Sequence, residues 1–181
     1  TTFLATATLA LLAGAASAQS VVGLAGDRTL VMIDPAAGVV TGMMEVEGVE
    51  RLHGIDWRPG NMTLIGVTDA QAVVVIDPMS GTLMPLSQMN TMLPVADGAP
   101  VIVDVNPMAD RLRFMSGTTN HRVNMDTGEV TVDGSLNWAE GDANAGADFW
   151  VSATGYINSY GTPEATAMFN IDTGLSALLQ Q

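Results

Sequence analysis

An internal repeat constrains the fold of this chain more than any other feature of its sequence. Each copy joins a short apolar run to an Asp and a Gly, and the copies are LVMIDPAAG at 30–38, VVVIDPMSG at 73–81, RVNMDTG at 122–128 and MFNIDTG at 168–174. Their aspartates, spaced 43, 49 and 46 residues apart, are Asp34, Asp77, Asp126 and Asp172. A period of roughly 40–50 residues with four short strands is typical of a propeller blade, so the repeat predicts a β-propeller-like array.

A second repeated unit precedes two of these copies. A divergent copy starts near Gly146, and the two clear copies are HGIDWRPGNMTLIGVT at 53–68 and IVDVNPMADRLRFMSG at 102–117. Asp56 and Asp104 occupy the same position in the clear copies. The two kinds of unit together predict antiparallel four-stranded blades at 53–86 and 101–132, with a three-stranded part-blade before them and another blade after them.

The repeated turns have a clear physical basis. In an Asp-Pro-x-x-Gly segment the Asp side chain accepts hydrogen bonds from the turn amides, Pro presets φ near −65°, and Gly accepts a positive φ. The runs at 73–76 and 102–105 are rich in the β-branched residues that strands favour. No window after residue 20 has a helical period. We therefore expect an all-β fold of about three and a half to four antiparallel four-stranded blades, preceded by a signal-peptide helix.

The start of the chain predicts export. Residues 3–18 form an apolar run that ends in Ala16-Ser17-Ala18, and these small residues resemble a signal-peptidase site. We expect a signal peptide or a retained apolar segment over 1–18 and a β-propeller-like repeat domain over 19–181. An ordinary buried or amphipathic helix is the competing interpretation of the first segment. Export places the domain in the periplasm or outside a bacterial cell, joined to a membrane only through a retained segment or a membrane-protein partner.

The charge and cysteine content excludes several classes of protein. The chain has 19 Asp and Glu residues against six Lys and Arg residues, which gives a formal net charge of −13. A nucleic-acid-binding protein needs a basic stripe, and contact with anionic lipid needs a polybasic patch, so neither partner is expected. The absence of cysteine excludes disulfides, thiolate zinc sites and cysteine nucleophiles.

Five stretches of the chain follow the pattern of a known family in order. They are GLAGDRTLVMIDP at 23–35, GIDWRPGNMTLIGV at 54–67, VDVNPMADRLRFMSGTTNHRVNMDTGEV at 103–130, DGSLNWAEGDANAGA at 133–147 and YINSYGTPEATAMFNIDT at 156–173. On these motifs the chain resembles the secreted bacterial domain-of-unknown-function family numbered 4394. The resemblance implies β-propeller-like repeats outside the cytoplasm, and a repeat domain that is incomplete at its C-terminus. It implies no activity, and it carries over no catalytic residue.

Three aromatic residues are candidates for binding a partner. Trp138 lies in a loop rich in Gly, Ala and Asp, and Phe149 and Trp150 stand next to each other where family members carry polar or turn residues. Adjacent residues of a strand point to opposite faces, so at least one of the pair is expected to face outward. Exposed aromatic residues often anchor protein interfaces. Packing of the same side chains between blades is the competing interpretation.

Candidates for chemistry are sparse. Asp142, Asn144 and Asp148 lie in GDANAGAD with a spacing that is faintly like a calcium loop, but Gly146 and Ala153 stand where such a loop needs oxygen ligands. A solvated turn explains the segment as well. The two histidines, His53 and His121, would form a metal site only if the fold brought them together. We expect no cofactor, with calcium as the one alternative, and we identify no catalytic residue.

These observations favour a binding protein over an enzyme. The expected function is that of an exported, non-catalytic binding or structural module that docks on a protein partner, as a periplasmic-side component of a membrane-associated assembly. The alternative is a propeller-type hydrolase that uses channel carboxylates, or a bound calcium ion, on a small ester, lactone or sugar. Asp56 and Asp104 are the repeated charges that such a channel would need.

Overall fold

The computed structural model describes residues 20–181, and every regular element in this range is a β-strand. The strands in chain order are β1 (Val21–Ala25), β2 (Thr29–Asp34), β3 (Val39–Glu45), β4 (Leu52–Arg58), β5 (Thr63–Thr68), β6 (Ala72–Ile76), β7 (Leu83–Gln88), β8 (Ile102–Asn106), β9 (Arg111–Ser116), β10 (Thr119–Val123), β11 (Val130–Val132), β12 (Val151–Tyr156), β13 (Met168–Asp172) and β14 (Ala177–Gln180). The predicted signal-peptide helix over residues 1–18 lies outside the described residues.

The strands form four antiparallel sheets that follow one another along the chain. Sheet I contains β1 to β3, sheet II contains β4 to β7, sheet III contains β8 to β11, and sheet IV contains β12 to β14. Within each sheet, consecutive strands are hydrogen-bonded neighbours. The predictions of an all-β fold, of four-stranded units at 53–86 and 101–132, and of a three-stranded unit before them are therefore confirmed for the described part of the chain. The unit after them also has three strands.

The Asp-Gly turns form as the sequence predicts in the first two sheets. The Asp34 side chain accepts a hydrogen bond from the amide of Ala36 at 2.9 Å, and the Asp77 side chain accepts one from the amide of Met79 at 2.9 Å. Four residues after each Asp, a glycine with positive φ closes the turn onto the carbonyl of that Asp, at 2.8 Å for both Gly38 and Gly81. The turn residues thus act through their side chains and their backbone freedom.

The third turn is capped by a different residue from the one that the repeat aligns with Asp34 and Asp77. Here the turn begins at Asn124, whose Oδ1 accepts the amide of Asp126 at 3.1 Å and whose carbonyl accepts the amide of Gly128 at 2.8 Å. Asp126 therefore does not cap its own turn as Asp34 and Asp77 do. An amide oxygen two residues earlier supplies the same acceptor. The Asp126 carboxylate instead bonds to Arg58 in sheet II, with Nη1 to Oδ1 at 2.6 Å.

Consecutive sheets pack on one another through separate apolar clusters. Strand β1 contacts β4, β4 contacts β8, and β8 contacts β12, so the first strands of the sheets lie side by side. Sheets II and III share the largest cluster, which includes the buried residues Ile65, Leu112 and Phe114. The approach of β4 to β8 requires a glycine, because a Cβ at Gly54 would lie 2.7 Å from Cβ of Val103.

A second close approach repeats between sheets. The carbonyl of Gly81 in sheet II accepts the amide of Glu47, at 3.2 Å, and the carbonyl of Gly128 in sheet III accepts the amide of Asn90, at 3.0 Å. A Cβ at Gly128 would lie 1.9 Å from the carbonyl oxygen of Gln88. The repeated glycine therefore serves both the positive φ of its turn and the contact with the sheet before it, and the sequence pattern predicted only the first role.

Candidate functional site

Two of the predicted aromatic residues meet beside sheet IV. The rings of Trp138 and Phe149 stack with their centroids 4.4 Å apart and an angle of 20° between their planes. Both side chains are half-buried. They line a cleft of about 460 Å³, here called the aromatic cleft, whose other wall is formed by residues 177–181.

Local hydrogen bonds hold the loop that carries Trp138. The indole Nε1 of Trp138 donates to the carbonyl of Ala147 at 2.8 Å, which ties the start of the loop to its end. Between them, Asp142 accepts the amide of Asn144 at 2.8 Å, and Gly141 and Gly146 have positive φ. The aromatic cleft is therefore built by turn chemistry in a segment without strands.

The floor of the aromatic cleft is polar and fixed. Asn170 of β13 is buried, and its Oδ1 accepts the hydroxyl of Thr154 at 2.6 Å, while its Nδ2 donates to Oε1 of Gln181 at 3.0 Å. A buried amide with both ends bonded keeps one orientation. The cleft thus combines an aromatic wall with a rigid hydrogen-bonding floor, as small binding sites commonly do.

The third predicted aromatic residue lies elsewhere. Trp150 is 52% exposed and does not line the aromatic cleft. Its backbone amide donates to Oδ2 of Asp172 at 2.7 Å, and its Cβ lies against Gly174. Phe149 and Trp150 point apart because neighbouring residues of an extended chain project to opposite sides. The structure thus brings together two of the three candidate residues.

A second cluster lies where the first strands of sheets II and III meet. Asp56 of β4 accepts two backbone hydrogen bonds, from its neighbour Trp57 at 2.8 Å and from Val105 of β8 at 2.7 Å. Asp104 of β8 is buried, with 7% of its surface exposed, and its Oδ2 has no hydrogen-bond partner. The two carboxyl groups are close enough to interact with one another.

Asp56 and Asp104, here called the acid pair, lie in an environment that favours a protonated form. Burial, and then the nearby charge of Asp56, raise the pKa of Asp104 to about 8. Burial also raises the pKa of Asp56, and the amide of Val105 opposes that rise. Two neighbouring buried carboxyl groups cannot both ionise cheaply, so the pair favours a form that holds one proton between them.

The acid pair was visible in the sequence only as a repeat. The other repeated aspartates lie at the ends of strands or just after them, but Asp56 and Asp104 lie inside strands, where no turn explains a charge. Cross-strand from Asp104 is Arg113, which donates to Asn120 and Asp133 at 2.7 Å each. The signal that could have identified the pair is the shared position of the two aspartates in strands that otherwise read as apolar.

The comparison with protein families confirms the resemblance seen in the sequence. The sequence model of the family described as "Domain of unknown function (DUF4394)" matches residues 29–181. This chain belongs to the DUF4394 family. Membership fixes no activity, because the family is described only by its unknown function.

Other comparisons add little to this membership. No curated protein sequence matches the chain. Among solved structures, the crystal structure of the major Malassezia sympodialis allergen Mala s 1 matches with a TM-score of 0.46 and 12% sequence identity, over 81% of this chain and 44% of that one. The DUF4394 chain thus spans less than half the length of that structure, and a similarity at this level supports no argument about fold or function.

Two of the three candidate metal ligands of this DUF4394 chain lie side by side, and the third lies apart from them. Asp142 and Asn144 line the aromatic cleft, whereas Asp148 is an exposed residue outside its lining. Within residues 20–181 no group of three or more His, Cys, Asp or Glu side chains is placed to hold a metal ion. Over the same range, no helix is long and apolar enough to cross a membrane.

Both histidines are largely packed within the protein. The ring of His53 lies 5.8 Å from the ring of Phe114, and His121 stands cross-strand from the same phenylalanine. Burial lowers the pKa of both imidazoles, and their Nδ1 atoms are buried without a hydrogen-bond partner. Neutral imidazoles that pack near one aromatic ring explain these residues without a metal.

Proposed function

We propose that this chain is an exported, non-catalytic binding module that docks on a protein partner through the aromatic cleft. The observation that carries the proposal is the stacked pair of Trp138 and Phe149 facing β14 across an open cleft of about 460 Å³. Aromatic anchors in pre-formed pockets dominate the energetics of many interfaces. A cleft of this size accepts one or two side chains of a partner.

The module is proposed to have a β-propeller-like arrangement. The side-by-side order of β1, β4, β8 and β12 supports it, since propeller blades place their first strands around a common axis. A second cleft of about 500 Å³ adds support. It is lined by Val21 of sheet I, Trp57 of sheet II and Tyr160 of the loop after β12, so this loop lies close to sheet I.

The proposed location is the periplasm or the cell exterior of a bacterium, with residues 1–18 as the export signal and residues 19–181 as the repeat domain. The Ala16-Ser17-Ala18 ending of the apolar run supports this location. We also propose a periplasmic-side role for the module in a membrane-associated assembly.

The hydrolase alternative would rest on the acid pair. A protonated carboxyl beside an ionised one is the arrangement that general acid–base catalysis needs. The geometry of this pair argues against the role, because both oxygens of Asp56 accept backbone hydrogen bonds and Asp104 is buried. The two carboxyl groups are placed to stabilise the interface between sheets II and III, and they are poorly accessible to a substrate.

A site-specific crosslinking experiment tests the docking proposal. The photoreactive residue p-benzoylphenylalanine is placed at Asn137, an exposed residue that lines the aromatic cleft, or at Met79, which is 82% exposed on sheet II and serves as the matched control. The protein is irradiated in the native periplasmic and membrane fractions. We expect a crosslinked protein at Asn137 and none at Met79.

Variants of the cleft then separate docking from folding. Trp138→Ala should abolish the crosslink at Asn137, and Trp138→Phe, which keeps a stacked ring, should retain it. Binding of the purified crosslinked protein should weaken in the same order. An identical crosslink in a folded Trp138→Ala variant, or equal crosslinking at Met79, would show that the aromatic cleft is not the docking surface.

A further inference from the structure

We propose that a groove between sheets I and II binds a short basic segment of a protein partner, with an apolar side chain of that segment seated at its centre. The groove has a volume of about 710 Å³ and is here called the I–II groove. Residues 47–50 of the loop between the two sheets line one side, and the turn after β5, strand β6 and the start of β7 line the other. No residue lines both this groove and the aromatic cleft, and Met79 lines neither, so the site is separate from the docking surface proposed above.

The I–II groove is open because the loop beside it is short. Six residues, 46–51, join β3 to β4, whereas thirteen residues, 89–101, join β7 to β8 at the next boundary. The two loops start alike, since the amides of Glu47 and Asn90 each donate to the carbonyl of the repeated turn glycine in the following sheet. The longer loop then inserts Leu93, which is 2% exposed, into the cluster between sheets II and III. A side chain from a partner would do at the shorter loop what Leu93 does at the longer one.

The floor of the I–II groove is apolar and continuous with the core. Val74 of β6 is 4% exposed and belongs to the cluster between sheets I and II. Leu83 of β7 and Val49 of the loop are partly buried and pack against the same cluster. Pro85 stands cross-strand from Val74 and is exposed. An apolar side chain seated here would extend a core that already exists and would remove this surface from water.

Carboxylates surround this floor, and the lining has no cation to compensate them. Glu47, Glu50 and Asp69 line the groove and are exposed, and none of the described residues that line it is Lys, Arg or His. Within the described part of the chain, none of the three forms an ion pair. Arg51 follows Glu50 but lies outside the lining, with its Nε 3.8 Å from Oδ1 of Asp27. The groove therefore attracts a basic occupant and disfavours a second copy of the chain, whose net charge is −13.

The spacing of the carboxylates favours a chain segment over a small cation. Glu47 lies near the end of β6, because its amide donates to the carbonyl of Gly81, in the turn after that strand, at 3.2 Å. Asp69 lies three residues before β6, and its amide donates to the carbonyl of Arg51 at 3.0 Å. The ends of this five-residue strand are roughly 13 Å apart at about 3.3 Å per residue. A single ammonium group is too small to contact carboxylates at both ends, whereas about four residues of extended chain span this distance.

Peptide binding tests the inference directly. The probe is a fluorescein-labelled peptide, Lys-Lys-Leu-Leu-Lys-Lys, and fluorescence anisotropy measures its binding to the full chain. We expect binding that weakens with added salt and is lost when the lysines are replaced by glutamates. Replacing the leucines by serines should weaken binding at least about fivefold, because the floor is apolar. Hexylammonium, which has one cation and one apolar chain, should bind at least about tenfold more weakly than the leucine peptide.

A matched pair of double variants tests the charges. Glu47→Gln with Glu50→Gln removes two carboxylates of the groove, and Glu129→Gln with Glu164→Gln removes two exposed carboxylates elsewhere, so both proteins have the same net charge. We expect the first pair to weaken binding of the leucine peptide roughly threefold to tenfold. The second pair should weaken it less than about twofold, since exposed charges beyond a Debye length are largely screened.

A second matched pair tests the groove itself. Ala70→Trp adds a large side chain at an exposed residue of the lining, and Ala109→Trp adds the same side chain at an exposed turn residue outside it. We expect at least about fivefold weaker binding of the leucine peptide to Ala70→Trp and no change for Ala109→Trp. All of these positions are exposed, and thermal unfolding verifies that each variant is folded.

The outcomes separate this inference from the docking proposal. Equal effects of the two glutamine pairs, or of the two tryptophan variants, overturn the I–II groove as the site. Equal affinity of the serine peptide overturns the apolar anchor, and equal affinity of hexylammonium overturns the chain segment. Trp138→Ala should leave the affinity of the leucine peptide unchanged, and a loss there assigns the peptide to the aromatic cleft and overturns the groove alone. No binding of the leucine peptide at millimolar concentration also overturns the inference and leaves the crosslinking result at Asn137 unaffected.

Discussion

The carboxylate of Asp56 on β4 accepts a hydrogen bond from the backbone amide of Val105 on β8, at 2.7 Å, across the boundary between two sheets. The bond brings Asp56 next to Asp104, the residue before Val105, whose Oδ2 is buried without a partner. The two aspartates that occupy the same position of the repeated unit therefore lie next to each other in the fold. The stability of the contact between these two sheets therefore depends on whether the pair holds a proton.

The acid pair should make stability depend on pH. An unfolded Asp loses its proton near pH 4, whereas folded Asp104 holds it up to about pH 8. Between these values the folded state binds more protons, so the free energy of unfolding contributed by Asp104 is complete below pH 4 and falls as the pH rises through 8. Urea denaturation at a series of pH values measures this decline.

The variant Asp104→Asn should remove the decline. An amide can donate to Asp56 at every pH, so the variant should be more stable than the natural protein at pH 8, by more than about 1.4 kcal/mol. Asp97→Asn, which changes an exposed loop residue, is the control and should leave the pH profile unchanged. A variant at residue 104 that keeps the original profile would exclude this pair as the cause.

Arg58 should contribute strongly to the contact between sheets II and III. Its buried guanidinium donates to Asp110 through Nε at 2.8 Å and to Asp126 through Nη1 at 2.6 Å. Arg58→Ala should lower the free energy of unfolding by about 2–3 kcal/mol, since the bonds are charge-assisted but both carboxylates are partly exposed. The control Arg51→Ala, whose nearest carboxylate is Asp27 at 3.8 Å, should change it by less than about 0.5 kcal/mol.

The bond to Arg58 also lowers the pKa of Asp126. A carboxylate with a lowered pKa stabilises the folded state above pH 4 and loses that contribution as the pH falls through the folded value. The destabilisation caused by Arg58→Ala should therefore be smaller at pH 2 than at pH 6. Equal losses at both values would contradict the role of these ion pairs.

Alanine substitutions at Gly128 and Gly26 should distinguish the cost of a strained backbone conformation from the cost of steric overlap. Both have positive φ, but a Cβ at Gly26 meets nothing within 4 Å, whereas one at Gly128 would lie 1.9 Å from the carbonyl oxygen of Gln88. Gly26→Ala should cost about 1–2 kcal/mol through backbone conformation alone. Gly128→Ala should cost at least about 2 kcal/mol more, because two backbone segments must move apart. Thermal unfolding measures both, and similar losses would mean that the sheets separate easily.

Gln71 should anchor the loop that joins sheets II and III. Its buried side chain donates to the carbonyl of Leu93 at 2.8 Å and accepts the amide of Leu93 at 2.7 Å. Gln71→Ala leaves both backbone groups without that partner and should speed proteolysis within residues 89–100 at least about fivefold. The exposed residue Gln180 of β14 provides the control variant, Gln180→Ala. Unchanged cleavage rates in Gln71→Ala would contradict the anchor.

The sequence could predict the sheets because their signals are local. Turn residues such as Asp34 and Gly38 act within a few positions, and the β-branched runs report strand structure directly. The four-stranded units at 53–86 and 101–132 were therefore accessible from periodicity alone. The place where local reasoning failed was Asp126, because Asn124 offers the turn an equivalent acceptor that a search for Asp does not find.

The candidate site was only partly predictable, for a different reason. The aromatic residues Trp138 and Phe149 stand out in their loop, but their stacking depends on how residues 139–148 fold back. The acid pair depends on the register between β4 and β8, which belong to different sheets. A single sequence shows which residues are repeated, but it does not show which repeated units are in contact in the fold.

The separate apolar clusters between sheets imply an uneven resistance to opening. The boundary between sheets II and III contains ten buried apolar residues, whereas the one between sheets III and IV contains four. Fewer buried apolar residues hold sheet IV to its neighbour, so its amide hydrogens should exchange faster than those of sheets II and III. The aromatic cleft thus borders the less firmly held sheet, and a partner that binds in it would slow that exchange.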